Sequence, residues 1–277
     1  MTRILLITGC SSGIGLDSAL TLHRRAGWRV LATCRKPADA ARLADEGLES
    51  FALDQSTDDG VRSGVEEALS RAGGRIDAVF ANGAFAQPGF VEDLPRQALR
   101  EIFEANLFGV HDLVRQLLPS LRASGDGRVV LNSSVLGFTA MPWRGAYSAT
   151  KHAMEGLFDT MRLEMRGQPV RVVLIEPGPI RTLIRQNSIP HFERWIDTEG
   201  SARRADYARL RNRLYDAPTG RDPGELDPGA VTGALIRALE SPRPRARYRV
   251  TTPTLAAEIM RRTLPTAWRD ALLLRGR

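Results

Sequence analysis

Tyr147 and Lys151 stand four residues apart, so on a helix they share one face. A phenol titrates at about pH 10 and is a poor acid–base group at neutrality. An ammonium one turn away stabilises the phenolate and draws that value down. Tyr-x-x-x-Lys is common by chance, but this chain has only two lysines, Lys36 and Lys151, among 39 basic residues. A chain that writes arginine almost everywhere else has little reason to place a lysine here for a neutral surface role. Thirteen residues before Tyr147, the run Asn132-Ser133-Ser134 ends a strand-like segment and offers hydroxyls at the same level.

A second group of residues suits phosphate. Thr8-Gly9-Cys10-Ser11-Ser12-Gly13-Ile14-Gly15 follows the first strand-like run and opens a helical one. Glycine permits the tight turn and the close approach of backbone to a pyrophosphate, and a helix N-terminus offers free N–H groups and positive dipole. Placed directly after an N-terminal strand, this loop predicts dinucleotide binding through Gly9, Ser11, Ser12, Gly13, Ile14 and Gly15. No Gly-Lys-Ser/Thr follows, which excludes a phosphate loop of the nucleotide-hydrolysing kind. The next strand ends in Thr33-Cys34-Arg35-Lys36, two bases where an acid would bind the ribose hydroxyls of NAD. Arg35 as a planar fork and Lys36 as a point charge fit a 2′-phosphate, with Ser12 as a further donor, and predict NADP. The alternative is two solvated bases opening a loop. Asp54, after the third strand, suits the adenine amino group or a simple turn.

The elements that must carry these residues alternate. Strands are predicted over Arg3–Thr8, Arg29–Cys34, Glu49–Leu53, Ala78–Ala81, Arg128–Ser133, Arg171–Glu176 and Arg247–Thr251. Helices are predicted over Gly13–Arg25, Pro37–Glu46, Asp58–Ala72, Pro95–Leu121, Ala146–Arg166 and Pro228–Glu240. Near-continuous apolar strands alternating with helices predict an α/β fold, a three-layer doubly wound parallel sheet (Rossmann-like) of about seven strands with helices on both faces. Ligands bind such sheets at the carboxyl ends of the strands. Residues 1–277 read as a single Rossmann-like domain. The stretch 182–227 breaks the rhythm and reads as a lid or substrate-loop insertion, the alternative being a decorative helical hairpin. Residues 252–277 read as a C-terminal helical extension, and the sequence leaves open whether it closes the pocket, meets a neighbouring subunit or grazes a membrane surface.

At 277 residues, 43% hydrophobic and 26% charged, the composition is that of a soluble globular protein. No apolar run approaches the length of about 18 residues that spans a bilayer. The N-terminus enters a strand-like run at once, which leaves no room for a signal peptide, and the expected compartment is the cytoplasm. Cys10 and Cys34 make neither a disulfide framework nor a zinc site, and His23, His111, His152 and His191 have no metal-binding spacing, so no metal is expected. The net charge of +7 is concentrated late: residues 201–277 hold 16 basic and 8 acidic side chains. A nucleic-acid or anionic-membrane patch would explain this, as would an arginine-rich surface of coding origin. The second is preferred, because the arginines are scattered among acids, and no nucleic-acid partner is expected.

Taken together, the Thr-Gly-x-x-x-Gly-x-Gly loop, Asn82-Gly83-Ala84, Asn106 in Asn-Leu-Phe-Gly, Ser134, Tyr147-Ser-Ala-Thr-Lys151 and Pro177-Gly178-Pro179-Ile180-Arg181-Thr182 occur in family order. They resemble the short-chain dehydrogenase/reductase family, closely over residues 1–182. Gly-Cys-Ser-Ser-Gly-Ile-Gly-Leu and Ala-Thr-Cys-Arg most resemble its 17-beta-hydroxysteroid and retinol dehydrogenase branch. The resemblance implies that Tyr147 exchanges a proton with the carbonyl or alcohol oxygen and Ser134 hydrogen-bonds that oxygen. It implies that Lys151 holds the nicotinamide ribose and tunes Tyr147, and that Asn106 supports a water relay behind Lys151. Asn82, Gly83, Pro177, Gly178, Ile180 and Thr182 would border the cofactor. It also implies a homodimer or homotetramer through Pro95–Leu121 and Ala146–Arg166. One departure is visible: the family writes Asn-Ala-Gly where this chain has Asn82-Gly83-Ala84.

The residues following the fourth strand (Phe85 to Phe90) and the fifth (Val135, Leu136, Phe138, Met141, Trp143) are apolar and aromatic, with no basic cluster for a carboxylate or phosphate. A lipophilic ketone, aldehyde or alcohol is expected, steroid- or retinoid-like, met by Phe85, Leu136 and Trp143, with His191 reaching in from the lid. The alternative is that half of these residues merely pack the lid onto the sheet. A non-catalytic NADP-sensing or scaffold protein on the same fold is the other reading, and the intact Asn106, Ser134, Tyr147 and Lys151 set argues against it.

Overall fold

Seven apolar segments pair side by side in the computed structural model, which describes residues 2–216 and 221–275. They are β1 (Arg3–Ile7), β2 (Trp28–Cys34), β3 (Glu49–Ala52), β4 (Ala78–Ala81), β5 (Gly127–Asn132), β6 (Val170–Pro177) and β7 (Arg247–Val250). All pairings are parallel, in the order β3-β2-β1-β4-β5-β6-β7. The order reverses beside β1, so the crevice between the carboxyl ends of β1 and β4 is the switch point at which such sheets bind ligands.

Helices cover both faces, which is why the strands are apolar throughout rather than alternating. On one face α1 (Gly13–His23), α2 (Pro37–Asp45) and α10 (Gly229–Glu240) pack over Leu5, Ile7, Val30 and Val173. On the other, α3 (Asp58–Arg71), α5 (Gly109–Ala123) and α6 (Gly145–Glu164) pack over Leu6, Val79, Val129 and Val172. The segment 182–227 carries α7 (Ile184–Asn187), α8 (Ile189–Trp195) and α9 (Arg204–Tyr215), with a small apolar cluster of its own built on Phe192, Ile196, Tyr207, Leu210 and Leu214. The described part of the C-terminal extension forms α11 (Thr252–Thr263) and α12 (Thr266–Arg275).

The single helix expected over Pro95–Leu121 is interrupted. α4 (Arg96–Phe103) gives way to a π-helical turn over Glu104–Phe108 before α5 begins. Gly109 lies against the main chain of Gln55, so closely that a Cβ there would stand 1.6 Å from the Gln55 carbonyl oxygen. The wide turn carries the chain past that contact and turns Asn106 inward, and such turns recur at functional sites.

Candidate active site

Loops at the carboxyl ends of the strands enclose one continuous cleft of about 1560 Å³. One end of it is the glycine-rich loop between β1 and α1, where the sequence predicts phosphate binding. Gly9 and Gly13 have φ of +72° and +58°, a region that favours glycine, and a Cβ on Gly9 would stand 2.6 Å from the Cα of Gly83. A Cβ on Gly13 would stand 3.1 Å from the Thr182 side chain, so this loop packs directly against the loop that follows β6. Ser12 N-caps α1 without giving its hydroxyl to the helix, and the first N–H groups of a helix have no partner of their own. Gly15 lies beneath the loop, where a Cβ would meet the Gly9 carbonyl oxygen. Ser11, Ser12, Ile14, Arg35, Lys36 and Asp54 all line the cleft. Asp54 also accepts hydrogen bonds from the Ser56 amide and hydroxyl, so it braces its own turn.

Asn82 ties the two halves of this end together. Its amide donates to the Thr8 carbonyl at 3.0 Å and accepts from Asn132 Nδ2 at 2.8 Å, while the Thr8 hydroxyl accepts the main-chain N–H groups of Asn82 and Gly83. The Asn82-Gly83-Ala84 departure has a local counterpart. Gln55 Nε2 donates to the main-chain oxygens of Gly83 (2.5 Å) and Ala105 (2.7 Å), and its Oε1 stands 2.8 Å from where a Gly83 Cβ would lie. The glutamine fills the space of the missing methyl and joins the β4 loop to the π turn, so the departure repacks the loop. Pro177, Gly178, Ile180 and Thr182 line the opposite wall, with Gly178 held by its N–H to Val250 at 3.0 Å.

At the other end Ser134, Tyr147 and Lys151 converge. Ser134 follows β5, and its oxygen accepts the Leu136 N–H at 3.1 Å. Tyr147 and Lys151 share a face of α6, with Nζ 5.6 Å from the phenol ring centroid. Lys151 is 2% exposed, and its Nζ donates to the Asn132 carbonyl at 2.6 Å. Burial pulls its pKa down to about 8, against the opposing carboxylate of Glu155. The Tyr147 pKa moves the opposite way to the expectation from spacing. Burial pushes it up to about 12, while the Ser134 hydroxyl and the Arg144 charge hold it down in part. The group is therefore a phenol at neutral pH. Asn106 is wholly buried and off the cleft. Its amide accepts from Phe85 N at 3.1 Å and donates to Phe85 O at 2.9 Å, fixing the Phe85 stretch of the cleft wall.

The substrate-side expectations divide. Phe85, Leu136 and His191 line the cleft, and Phe85 and His191 stack with centroids 4.0 Å apart. Trp143 does not form part of the lining. Its ring meets Phe90 edge-on at 6.2 Å in the cluster under α8 and α9, where an aromatic face finds apolar partners. Arg144, Arg185 and Arg213 also line the cleft. In a chain so rich in arginine nothing in the spacing singles them out, and two of them arrive only through the fold of residues 182–227. Four arginines of the last quarter are paired internally away from the cleft: Arg247 with Glu155, Asp159 and Glu176, and Arg249, Arg261 and Arg262 with Glu258. Cys10 and Cys34 are buried free thiols raised in pKa by burial, consistent with packing roles.

The sequence profile of the family described as short chain dehydrogenase matches residues 3–192. This chain belongs to the short-chain dehydrogenase family. It is similar to the uncharacterized oxidoreductase YbbO of Escherichia coli strain K12, with 36% identity over 274 residues covering 99% of this chain and 94% of that protein. It is also similar to human retinol dehydrogenase 8, at 29% identity over 88% of this chain and 80% of that protein. Among solved structures, a short-chain dehydrogenase from Streptomyces avermitilis superposes with a TM-score of 0.77 at 26% identity, covering 98% and 97% of the two chains. As a short-chain dehydrogenase the chain is an oxidoreductase of a class that uses a nicotinamide cofactor, and its glycine loop, sheet order and cleft agree with that assignment. No helix among the described residues of this short-chain dehydrogenase is long and apolar enough to cross a membrane.

Proposed function

We propose that this short-chain dehydrogenase is NADP(H)-dependent and interconverts a carbonyl and an alcohol on a lipophilic substrate, with Tyr147 as the acid–base group. The observation that carries the reading is one cleft lined both by Arg35 and Lys36 and by Ser134, Tyr147 and Lys151. A nicotinamide cofactor supplies or accepts the hydride. Arg35 and Lys36 at the end of β2 present two cations and no acid, which suits the 2′-phosphate of NADP. Gly9, Ser11, Ser12, Gly13 and Ile14 receive the pyrophosphate, and Pro177 to Thr182 border the nicotinamide.

Ser134 and Tyr147 present two hydroxyls to one substrate oxygen, a small oxyanion site. With its pKa pushed up to about 12, Tyr147 enters reduction in the proton-donating form. The phenolate left behind is stabilised by Arg144 and by Lys151. Lys151, anchored on Asn132, faces the cofactor ribose, and Asn106 acts as a positioning residue through Phe85. The described part of the 182–227 insertion acts as a lid, its His191 stacking on Phe85 beside Leu136, and these surfaces suit a lipophilic substrate. The exposed apolar side chains Phe108, Leu157 and Leu163 on the π turn and α6 support assembly through these helices. A cytoplasmic location fits the cofactor choice.

The test is NADPH consumption across steroid, retinoid, quinone and aliphatic carbonyls, repeated with NADH. The reading predicts turnover of at least one apolar class with NADPH preferred. Failure of every class with both cofactors, with NADPH bound, would favour a sensing or scaffold protein.

A further inference from the structure

Arg144 precedes α6 by one residue and Tyr147 by three, and its guanidinium opens on the cleft. No carboxylate pairs with it and no acceptor takes its side-chain N–H groups among the described residues, although it is only partly exposed. Its neighbours sharpen the imbalance. Arg185 of α7 and Arg213 of α9 both act on it, and these two share a single counter-ion, Asp222, at 3.0 and 3.5 Å. Three guanidiniums thus stand around one carboxylate, and the remaining titratable group facing Arg144 is Tyr147. Desolvation and the two like charges pull the Arg144 pKa down to about 10, the sign of a cation short of an anion.

The mounting of Arg144 is rigid. Its N–H donates to the Met141 carbonyl at 3.2 Å and its carbonyl accepts the Ser148 N–H at 2.8 Å. The preceding residue, Trp143, has φ of 62°, an unusual conformation for a bulky side chain, and its carbonyl accepts the Gly89 N–H at 3.2 Å. That strained turn sends the tryptophan into the apolar cluster and leaves the next side chain on the cleft. Strain of this kind persists only where the surroundings over-determine it.

We propose that the substrate carries an anionic oxyacid group close to its reacting carbonyl, and that Arg144, flanked by Arg185 and Arg213, binds that group. A guanidinium is a planar fork matched to carboxylate, phosphate or sulfonate oxygens. Its position beside Tyr147 places the anion near the chemistry. The substrate is then amphipathic, with its apolar part against Phe85 and Leu136. This inference rests on the carbonyl–alcohol reading above and makes its polar end specific.

The test compares oxo acids whose carboxylate lies two to six carbons from the carbonyl with their methyl esters, alongside the matching phosphates and sulfonates, in the full chain with NADPH. At least one anion is expected to exceed its neutral partner in kcat/KM by about 10- to 100-fold, and the arms identify which oxyacid fits. Arg144→Met should collapse that ratio to near one, Arg213→Met should reduce it, and Arg144→Lys should restore part of it. NADPH affinity, read by fluorescence, should be unchanged in Arg144→Met. Neutral partners turned over as well as every anion would overturn the proposal while leaving the carbonyl–alcohol reading intact. So would an Arg144→Met variant that keeps the ratio but loses NADPH affinity, which would assign the guanidinium to cofactor phosphate. If no carbonyl is turned over, the underlying reading fails, and calorimetry decides the anion site separately. Decanoate, decyl phosphate and decyl sulfonate should bind the wild type more tightly than decanol and lose that advantage in Arg144→Met; equal binding would overturn it.

Discussion

Lys151 Nζ stands 2.6 Å from the main-chain oxygen of Asn132, at the end of β5, and is almost wholly buried there. The bond joins α6, which carries Tyr147, to the end of the strand that delivers Ser134. Glu155, one turn further along α6, is the carboxylate that opposes its loss of charge.

Substitution by arginine, conservative almost anywhere else in this chain, should fail here. A guanidinium is larger, planar and unable to place a single point charge on that carbonyl. Lys151→Arg is expected to lower kcat/KM by about 100-fold or more and to weaken cofactor binding. Steady-state kinetics and fluorescence titration check both.

The two shifted groups predict opposite pH limbs. Under the proposed mechanism reduction uses protonated Tyr147, which persists until pH approaches about 12, so Tyr147 should impose no loss of reductive rate near neutrality. Lys151 loses its charge as pH rises through about 8, so reduction should hold steady below that value and fall above it. Alcohol oxidation draws on the phenolate and should gain with rising pH at the level of Tyr147. Initial rates in both directions from pH 6 to 10 test the assignment; a reductive limb that rises through pH 8 would contradict it.

The proposed preference for NADPH rests on the end of β2. Arg35→Ala removes the planar cation and should reduce the preference for NADPH over NADH by about 10- to 100-fold, the worth of one charge-assisted contact. The ratio of kcat/KM values for the two cofactors measures it directly, and an unchanged ratio would place the 2′-phosphate elsewhere.

The Gln55–Gly83 contact is a packing prediction. Gly83→Ala adds a methyl that would sit 2.8 Å from Gln55 Oε1, and should destabilise the chain by about 1–3 kcal/mol. Gln55→Val in the same chain should recover part of that loss, because the two sites share one space. Chemical denaturation of the single and double variants reads the coupling.

The fold was legible because both sheet faces are covered: seven apolar runs bounded by turn residues match β1 to β7 within a residue or two at their ends. The proposed acid–base pair was legible as a pair because Tyr147 and Lys151 are local partners on one helix. Direction of titration was not, since burial is a property of the closed cleft and outweighs the opposing effects of Ser134 and Arg144 on the phenol. The break between α4 and α5 was hidden because its cause is the Gln55 main chain, distant in sequence. Trp143 reads as a pocket wall beside Leu136, but its left-handed backbone turns it into the lid cluster. Arg185 and Arg213 reach Arg144 only through α7 and α9, and composition hid all three among many other arginines.

The central claim, that Tyr147 carries the proton in an NADPH-dependent carbonyl reduction, is tested most directly by Tyr147→Phe. The variant keeps the ring and loses the hydroxyl, and turnover and NADPH binding are measured on the same preparation with the best carbonyl from the substrate screen. The account predicts a fall in kcat of about 100- to 10,000-fold with the NADPH dissociation constant within about threefold of wild type. Turnover retained near the wild-type level would contradict it.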